Sequence, residues 1–228
     1  MDSLPLSTTV DEEVRNAGVA VLPIGSFEQH GPYLPLATDT LVACAIAAEV
    51  AAACPVRRLP PITISCSQEH AGWAGTVSIS ARTLCSVVED IAASLGTTRL
   101  VLVNGHGGNY VLGNVVQEHA GMALFPAVED WAAARAAGGI ETPEVSDMHA
   151  GELETSILLH AFPEAVRTGY ASGDHLADDR RHLLTLGLRA YTESGVVGRP
   201  SHATPAKGKA VLVHLVELFG GHLAALGD

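Results

Sequence analysis

The feature that most constrains this chain is the apolar run VAVLPI at residues 19–24, closed by Gly25 and Ser26. A short run rich in β-branched residues and bounded by turn formers reads as a buried strand. Directly behind it come Glu28, His30 and Asp39, set among Gly31, Pro32 and Pro35. Loops at the carboxyl ends of strands are where open α/β sheets bind their ligands. Glu28 and His30 are two residues apart, so in an extended segment their side chains leave on the same face. Two carboxylates and an imidazole converging on a point suit a divalent metal. A solvated polar loop has the same composition, and this stretch by itself does not decide between the two.

The rest of the chain repeats the same rhythm. Residues 41–54 (LVACAIAAEVAAAC) are apolar almost all round, which describes a buried helix. Pro60-Pro61 leads into ITIS, a short strand. Residues 82–95 carry apolar positions at helical spacing and stop at Gly96, a common helix end. RLVLV at 99–103 reads as a third strand, 110–120 as helix, 122–126 as a fourth strand and 129–137 as helix. A further helix begins near Ala150 and ends before Pro163; residues 163–182 read as an exposed loop, and an amphipathic helix covers about 211–226. Strand, loop and helix alternate without repeats or linkers. This predicts one domain over residues 1–228, an α/β fold with a mainly parallel sheet and helices on both faces.

Composition narrows the function. The net charge of −12, from 13 basic and 25 acidic residues, speaks against a nucleic-acid partner. No unbroken apolar run reaches the roughly 18–20 residues that cross a bilayer. The first residues, MDSLPLSTTVDEEV, lack the basic start and apolar core of a signal peptide, so the expected address is cytoplasmic. Cys44, Cys54, Cys66 and Cys85 form no CxxC pair and receive no function.

Three more stretches carry candidate chemistry. NGHGGN at 104–109 sits between a strand and a helix, with His106 at the strand end and glycines that allow close backbone approach. It is no phosphate loop, since GxGxxG and GK[ST] are absent; a tight turn would also need its glycines. HAGELETS at 149–156 places Glu152 three residues after His149, on a shared helix side if the helix starts at Ala150. Acidic residues in a first helical turn also simply complement the helix dipole. SQEHAGW offers Glu69, His70 and Trp73 as a pocket lining, or merely as polar loop.

In order, VLPIGSFEQHGPYLPLATDT, SCSQEHAGWAGTVSIS, VNGHGGN, HAGELETS and GVVGRPSHATPAKG resemble the signature segments of the creatininase family. The resemblance spans residues 19–210. It implies a three-layer α/β/α sandwich, often assembled as a hexamer, and two divalent metals, zinc with zinc or manganese (iron is also possible), that hydrolyse C–N amide bonds. By motif, Glu28 and His106 would bind one metal and His30 the other, with Asp39 bridging, and His149 would shuttle protons. Creatininase itself carries a glutamate where this chain has Gly108. Glu152 is the expected replacement ligand, and Glu154, about 200° round the helix, the expected partner that orients a ligand or His149. VSDM at 145–148 replaces creatininase's gating tryptophan region, which argues against creatinine. The expected reaction is hydrolysis of a small-molecule amide: a cyclic amide, a formamide or a peptide-like bond. The alternatives are a peptidase trimming a modified peptide precursor, as in one branch of relatives, or a non-catalytic binding protein on the same fold. A serine hydrolase ranks last, as GxSxG is absent.

Overall fold

The structure, a computed structural model, describes residues 4–227. Its strands are β1 (Val19–Ile24), β2 (Arg57–Arg58), β3 (Arg99–Asn104) and β4 (Met122–Phe125), all paired in parallel in the order β2-β1-β3-β4. β1 and β3 run in register from Val19 opposite Arg99 to Ile24 opposite Asn104. Around them lie α1 (Thr9–Arg15), α2 (Thr38–Ala53), α3 (Ala81–Ser94), α4 (Val111–Glu118), α5 (Val128–Gly138), α6 (Glu152–Ala161), the single turn α7 (Leu183–Leu186) and α8 (Pro205–Ala225).

Both faces of the sheet are covered, which is why β1 and β3 read as continuous apolar runs rather than alternating ones. The period-2 alternation sorts their side chains all the same. Val19, Val21, Val101 and Val103 join Phe125 and the apolar sides of α2, α6 and α8 in one core. Ala20, Leu22, Ile24, Leu100 and Leu102 face the other way, into a core closed by α3 and α4. Leu22, Leu100 and Leu102 are at most 1% exposed; burying each such side chain stabilises the fold by roughly 1.5–3 kcal/mol. The result is the expected three-layer α/β/α arrangement.

Strand order, more than strand number, decides where a ligand can sit. From β1 the chain crosses to β2 on one side and then returns past β1 to β3 on the other. The direction of winding therefore changes between β1 and β3, and a crevice opens at the carboxyl ends of that pair. The loops after β1 and β3 carry Glu28, His30 and His106.

Three local expectations need correction. ITIS is not a strand: β2 is two residues long and lies upstream, at Arg57–Arg58. The edge continues through single bonds, Leu59 N–H to Val21 O and Ile62 N–H to Pro23 O at 2.9 Å each, and Gly25 N–H to Ile62 O at 3.0 Å, with Ile62 alone bridging Ile24. Pro60 and Pro61 have no N–H to donate, so the ladder breaks between them. The last helix starts at Pro205 rather than near 211, because Thr204 caps it by accepting from Lys207 N–H and proline suits the first turn. Helix α1 is an addition to the expected elements; a reciprocal Thr8–Asp11 capping box begins it.

Candidate metal centre

Four separate pieces of chain meet at the β1/β3 crevice. The first is the loop after β1, which is forced to turn back closely. A Cβ at Gly25 would lie 2.2 Å from Thr40 N, so only glycine lets the start of α2 pack against the end of β1. That approach puts Asp39, in the first turn of α2, beside Ser26, whose Oγ–H donates to Asp39 Oδ2 at 2.7 Å. His30 turns inward, its Nδ1–H donating to Glu28 O at 3.0 Å while Nε2 lies 2.9 Å from Asp39 Oδ1.

From the end of β3 comes His106, held by Asn104, whose side-chain N–H donates to His106 O at 2.8 Å. Its Nε2–H donates to Cys66 O at 2.7 Å, and its Nδ1 lies 2.8 Å from Asp39 Oδ2. Asp39 thus has one imidazole on each oxygen. Each of these imidazoles also has its other nitrogen fixed by a backbone carbonyl, the arrangement that sets the ring orientation of metal-binding histidines.

The third piece is the 66–73 loop. Gln29 donates its side-chain N–H to His70 Nδ1 at 3.1 Å, which leaves His70 Nε2 facing Glu28 Oε1 at 3.0 Å. Glu28 Oε2 lies 3.3 Å from His106 Nε2. Neither contact is aligned as a hydrogen bond, and both Glu28 carboxylate oxygens are buried with no hydrogen-bond partner among the described residues. An uncompensated buried carboxylate is costly, and a cation is what resolves it. The donor set therefore fits a metal.

The fourth piece is HAGELETS. His149 pairs its backbone with Val197 in both directions at 2.9 Å, which is where the GVVG segment enters the site. His149 Nε2–H donates to Gln29 O at 2.6 Å, so Nδ1 is the free nitrogen, 3.9 Å from Glu28 Oε1. Ala150 then takes a left-handed turn, φ 53°. Its N–H donates to Glu154 Oε2 at 2.6 Å. Asp147 accepts from Glu152 N–H (2.6 Å) and Leu153 N–H (3.1 Å), so α6 begins only at Glu152.

That late start overturns the expected role of Glu152. His149 lies outside the helix, so the three-residue spacing does not put Glu152 on its side. Glu152 points away, accepting from Thr142 N–H (2.7 Å) and Oγ1–H (2.6 Å) and from Lys207 Nζ (2.6 Å). With Glu141 and His202 it forms a cluster of metal-binding types, but the Lys207 ammonium already stands there, 2.9 Å from Glu141. Glu154, on the opposite side of the helix, is the residue that reaches His30 and Asp39.

Two adjacent donor groups result, Glu28–Asp39–His106 and His30–Asp39–Glu154, each with its ligand atoms within 4.8 Å of one another. Glu28, His30 and His149 form an overlapping third. The electrostatics reflect the crowding. Burial, then the charge of Asp39, pushes Glu28 up to about 7. Burial drives His30 and His106 down, but Asp39 more than reverses this, leaving them at about 9 and about 10. Burial alone would raise Asp39; those two imidazoliums hold it well below the usual range. Burial raises Glu154 to about 8, with the His30 charge opposing it. Burial and then neighbouring imidazolium charge lower His70 to about 3 and His149 well below its ordinary value.

A cavity of about 700 Å³ opens onto this centre, lined by Glu69, His70, His106, His149 and Glu154 among others. Trp73 does not line it; its ring lies under the Arg189 guanidinium, 4.7 Å from the centroid. Gln29 and Ser26, which fix His70, His149 and Asp39, carry no sequence signal beyond their neighbourhood. Among the described residues no helix is long and apolar enough to cross a membrane.

Comparison with known proteins adds to this geometry. Residues 6–221 match the family model described as creatininase, creatinine amidohydrolase. The chain is 36% identical over 228 aligned residues to the mycofactocin precursor peptide peptidase of Mycobacterium ulcerans, covering 93% of this chain and 87% of that protein. It is 37% identical over 225 residues to the protein of the same name from Mycolicibacterium smegmatis, covering 92% and 87%. The solved structure of creatininase with Mn superposes with a TM-score of 0.82 over all of both chains at 20% identity, a likeness of fold. The expectation of a small-molecule amide substrate is corrected by these relatives, which are named for action on a peptide precursor.

Proposed function

The chain belongs to the creatininase family, and on that premise we propose that it is a metal-dependent amidohydrolase that works as a peptidase, trimming a peptide precursor. The observation that carries the reading is Asp39 with an imidazole on each carboxylate oxygen, beside a buried Glu28 that no donor among the described residues satisfies. The similarity to named peptidases across most of the chain points the amide toward a peptide bond.

Glu28, Asp39 and His106 would hold one divalent ion and His30, Asp39 and Glu154 the other, with zinc or manganese the expected metals. When bound, such ions polarise a carbonyl and bring a water's pKa down toward neutrality. The chain's own residues handle the rest. His149 keeps Nε2–H on the Gln29 carbonyl and presents Nδ1 to the cavity, so it can take a proton there and return it to the departing amine. Burial disfavours a lasting charge on His149, so a proton taken up at Nδ1 is readily passed on. Glu69 and His70 form the cavity wall nearest the centre and meet the substrate backbone. The whole chain acts as one catalytic domain, and cysteines that form no disulfide suit a cytoplasmic setting.

The test is mass spectrometry of products after metal-free protein is reloaded with zinc or manganese. Pools of short peptides, including precursors with modified residues, are compared with creatinine, lactams and formamides. Cleavage confined to peptides is expected. A chain that takes up two equivalents of metal yet opens creatinine or lactams and leaves every peptide intact refutes the proposal.

A further inference from the structure

The surroundings of one carboxylate in the cavity wall call for more than contact with a substrate. The Glu69 side chain is 8% exposed and lines the cavity over the donor groups. Among the described residues it makes no hydrogen bond through its carboxylate, and its nearest cationic atom is His106 Nε2, 3.6 Å from Oε1. The same nitrogen faces Glu28 Oε2 at 3.3 Å. Two carboxylates therefore flank a single imidazole nitrogen inside a largely buried pocket. One imidazolium does not balance both, since its other side is already taken by Asp39 at 2.8 Å.

The backbone opposite has been shaped to admit this side chain. A Cβ at Gly108 would lie 2.1 Å from Glu69 Oε1 and 2.4 Å from His106 Nε2. Gly108 is not in the left-handed region, so no turn geometry demands glycine there. What glycine leaves open there is the space that the Glu69 carboxylate and the edge of the His106 ring occupy, and a side chain at 108 would have to displace them. A merely solvated glutamate would have no need of that space and would not be nine-tenths buried.

We infer that Glu69 is a further carboxylate of the metal centre, reaching the Glu28–Asp39–His106 end from the 66–73 loop through the gap that Gly108 leaves. This rests on the proposed metal dependence and adds to it a residue that binds the ion's side of the cavity rather than the substrate alone. Its negative charge completes the neutralisation of a divalent cation there, in a position from which a neutral amide of the same shape cannot act.

The experiment is equilibrium dialysis of the full chain against zinc and against manganese, with bound metal counted by elemental analysis. Wild type is expected to hold two equivalents. Glu69→Gln, which keeps the shape and removes the charge, is expected to bind one of them at least tenfold more weakly, with an unchanged circular dichroism spectrum and unchanged metal-free Tm. Glu69→Asp, which keeps the charge on a shorter arm, is expected to fall between the two. Gly108→Ala is expected to weaken the same equivalent, because the added methyl displaces Glu69 and His106 together. If Glu69→Gln holds both equivalents with wild-type affinity, the inference is overturned while the metal-dependent reading stands. A wild-type chain that binds no metal overturns both.

Discussion

Glu152 and Glu154 stand two positions apart with different surroundings, Thr142 and Lys207 for the one and His30 and Asp39 for the other, and one pair of isosteric substitutions separates the roles proposed for them. In Glu152→Gln the new amide must put either its oxygen or its NH₂ toward Thr142, whose N–H and Oγ1–H both donate to Oε2. With oxygen there, the NH₂ faces the Lys207 ammonium, 2.6 Å from Oε1. Removing one partner of a buried ion pair costs roughly 3–5 kcal/mol. Lys207 is 17% exposed and keeps Glu141 at 2.9 Å, so the appropriate figure is lower, about 2–3 kcal/mol, in line with the loss of one charge-assisted bond. For a chain of this length that lowers Tm by about 4–12 °C. Metal content should not change.

Glu154→Gln should behave in the reverse way. The Glu154 carboxyl is raised to about 8 in the fold, so ionised Glu154 is disfavoured there. Its contribution to metal-free stability is therefore negative above the unfolded carboxylate pKa and grows more so as pH rises toward 8. Glutamine removes that cost and can still accept from Ala150 N–H. Metal-free Glu154→Gln should be at least as stable as wild type at pH 7, yet lose one equivalent of metal. Thermal denaturation of the metal-free proteins, paired with elemental analysis of the loaded ones, reads both quantities. If Glu152→Gln keeps its Tm and loses metal, or Glu154→Gln keeps both equivalents, this division of labour is wrong.

Other substitutions probe the rest of the site. Asp39→Asn should lose both equivalents, because both donor groups share Asp39; full retention of either ion would contradict the bridging role. His149→Asn should keep its metal and lower kcat by about 10²–10⁴-fold, the usual worth of a positioned acid–base group, and an unchanged kcat in steady-state assays would remove it from the mechanism. Gly25→Ala puts a methyl 2.2 Å from Thr40 N and should cost at least the roughly 1–3 kcal/mol of an overpacked core, read as a lower Tm; a neutral result would mean the β1–α2 approach is not tight. Metal uptake at pH 7 should release protons, since His30 and His106 are raised to about 9 and about 10 and must bind as neutral imidazoles. Affinity should then weaken as pH falls, and calorimetry in buffers of different ionisation enthalpy that shows no proton release would refute this.

The legible and the hidden parts of this sequence have a common physical origin. β1, β3 and the all-round apolar α2 are legible because burial on every side leaves no room for polar residues. Glu28, His30 and His106 are legible because they lie in the loops directly after β1 and β3, and Asp39 because it opens the apolar helix that follows. Glu152 misleads because an ideal helix extends back to Ala150, while the Asp147 side chain caps α6 two residues later and Ala150 turns left-handed. No local rule marks that turn, since alanine rarely adopts it. The links from Gln29 to His70 and His149 span 41 and 120 residues, and no spacing within one segment reveals them.

The position of the centre also follows from its own energetics. Glu28 and Glu154 are pushed up, so the fold holds these two carboxyls away from the charge they carry in water, while His70 and His149 are pushed down and held neutral. A flexible loop would relax such a cluster into solvent. Here each member is fixed by a neighbour that cannot move easily: Asp39 by the first turn of a buried helix, His106 by the end of a buried strand, His149 by backbone pairing with Val197. The crevice between β1 and β3 is where such fixed elements end side by side with no further sheet hydrogen bonds to make, so polar side chains can converge without breaking the ladder. In the metal-free state the protons on His30 and His106 balance Asp39; cations in their place would balance Glu28 and Glu154 as well. The strain that remains in the protonated site is thus relieved by the ions, and metal occupancy and folding stability become one equilibrium.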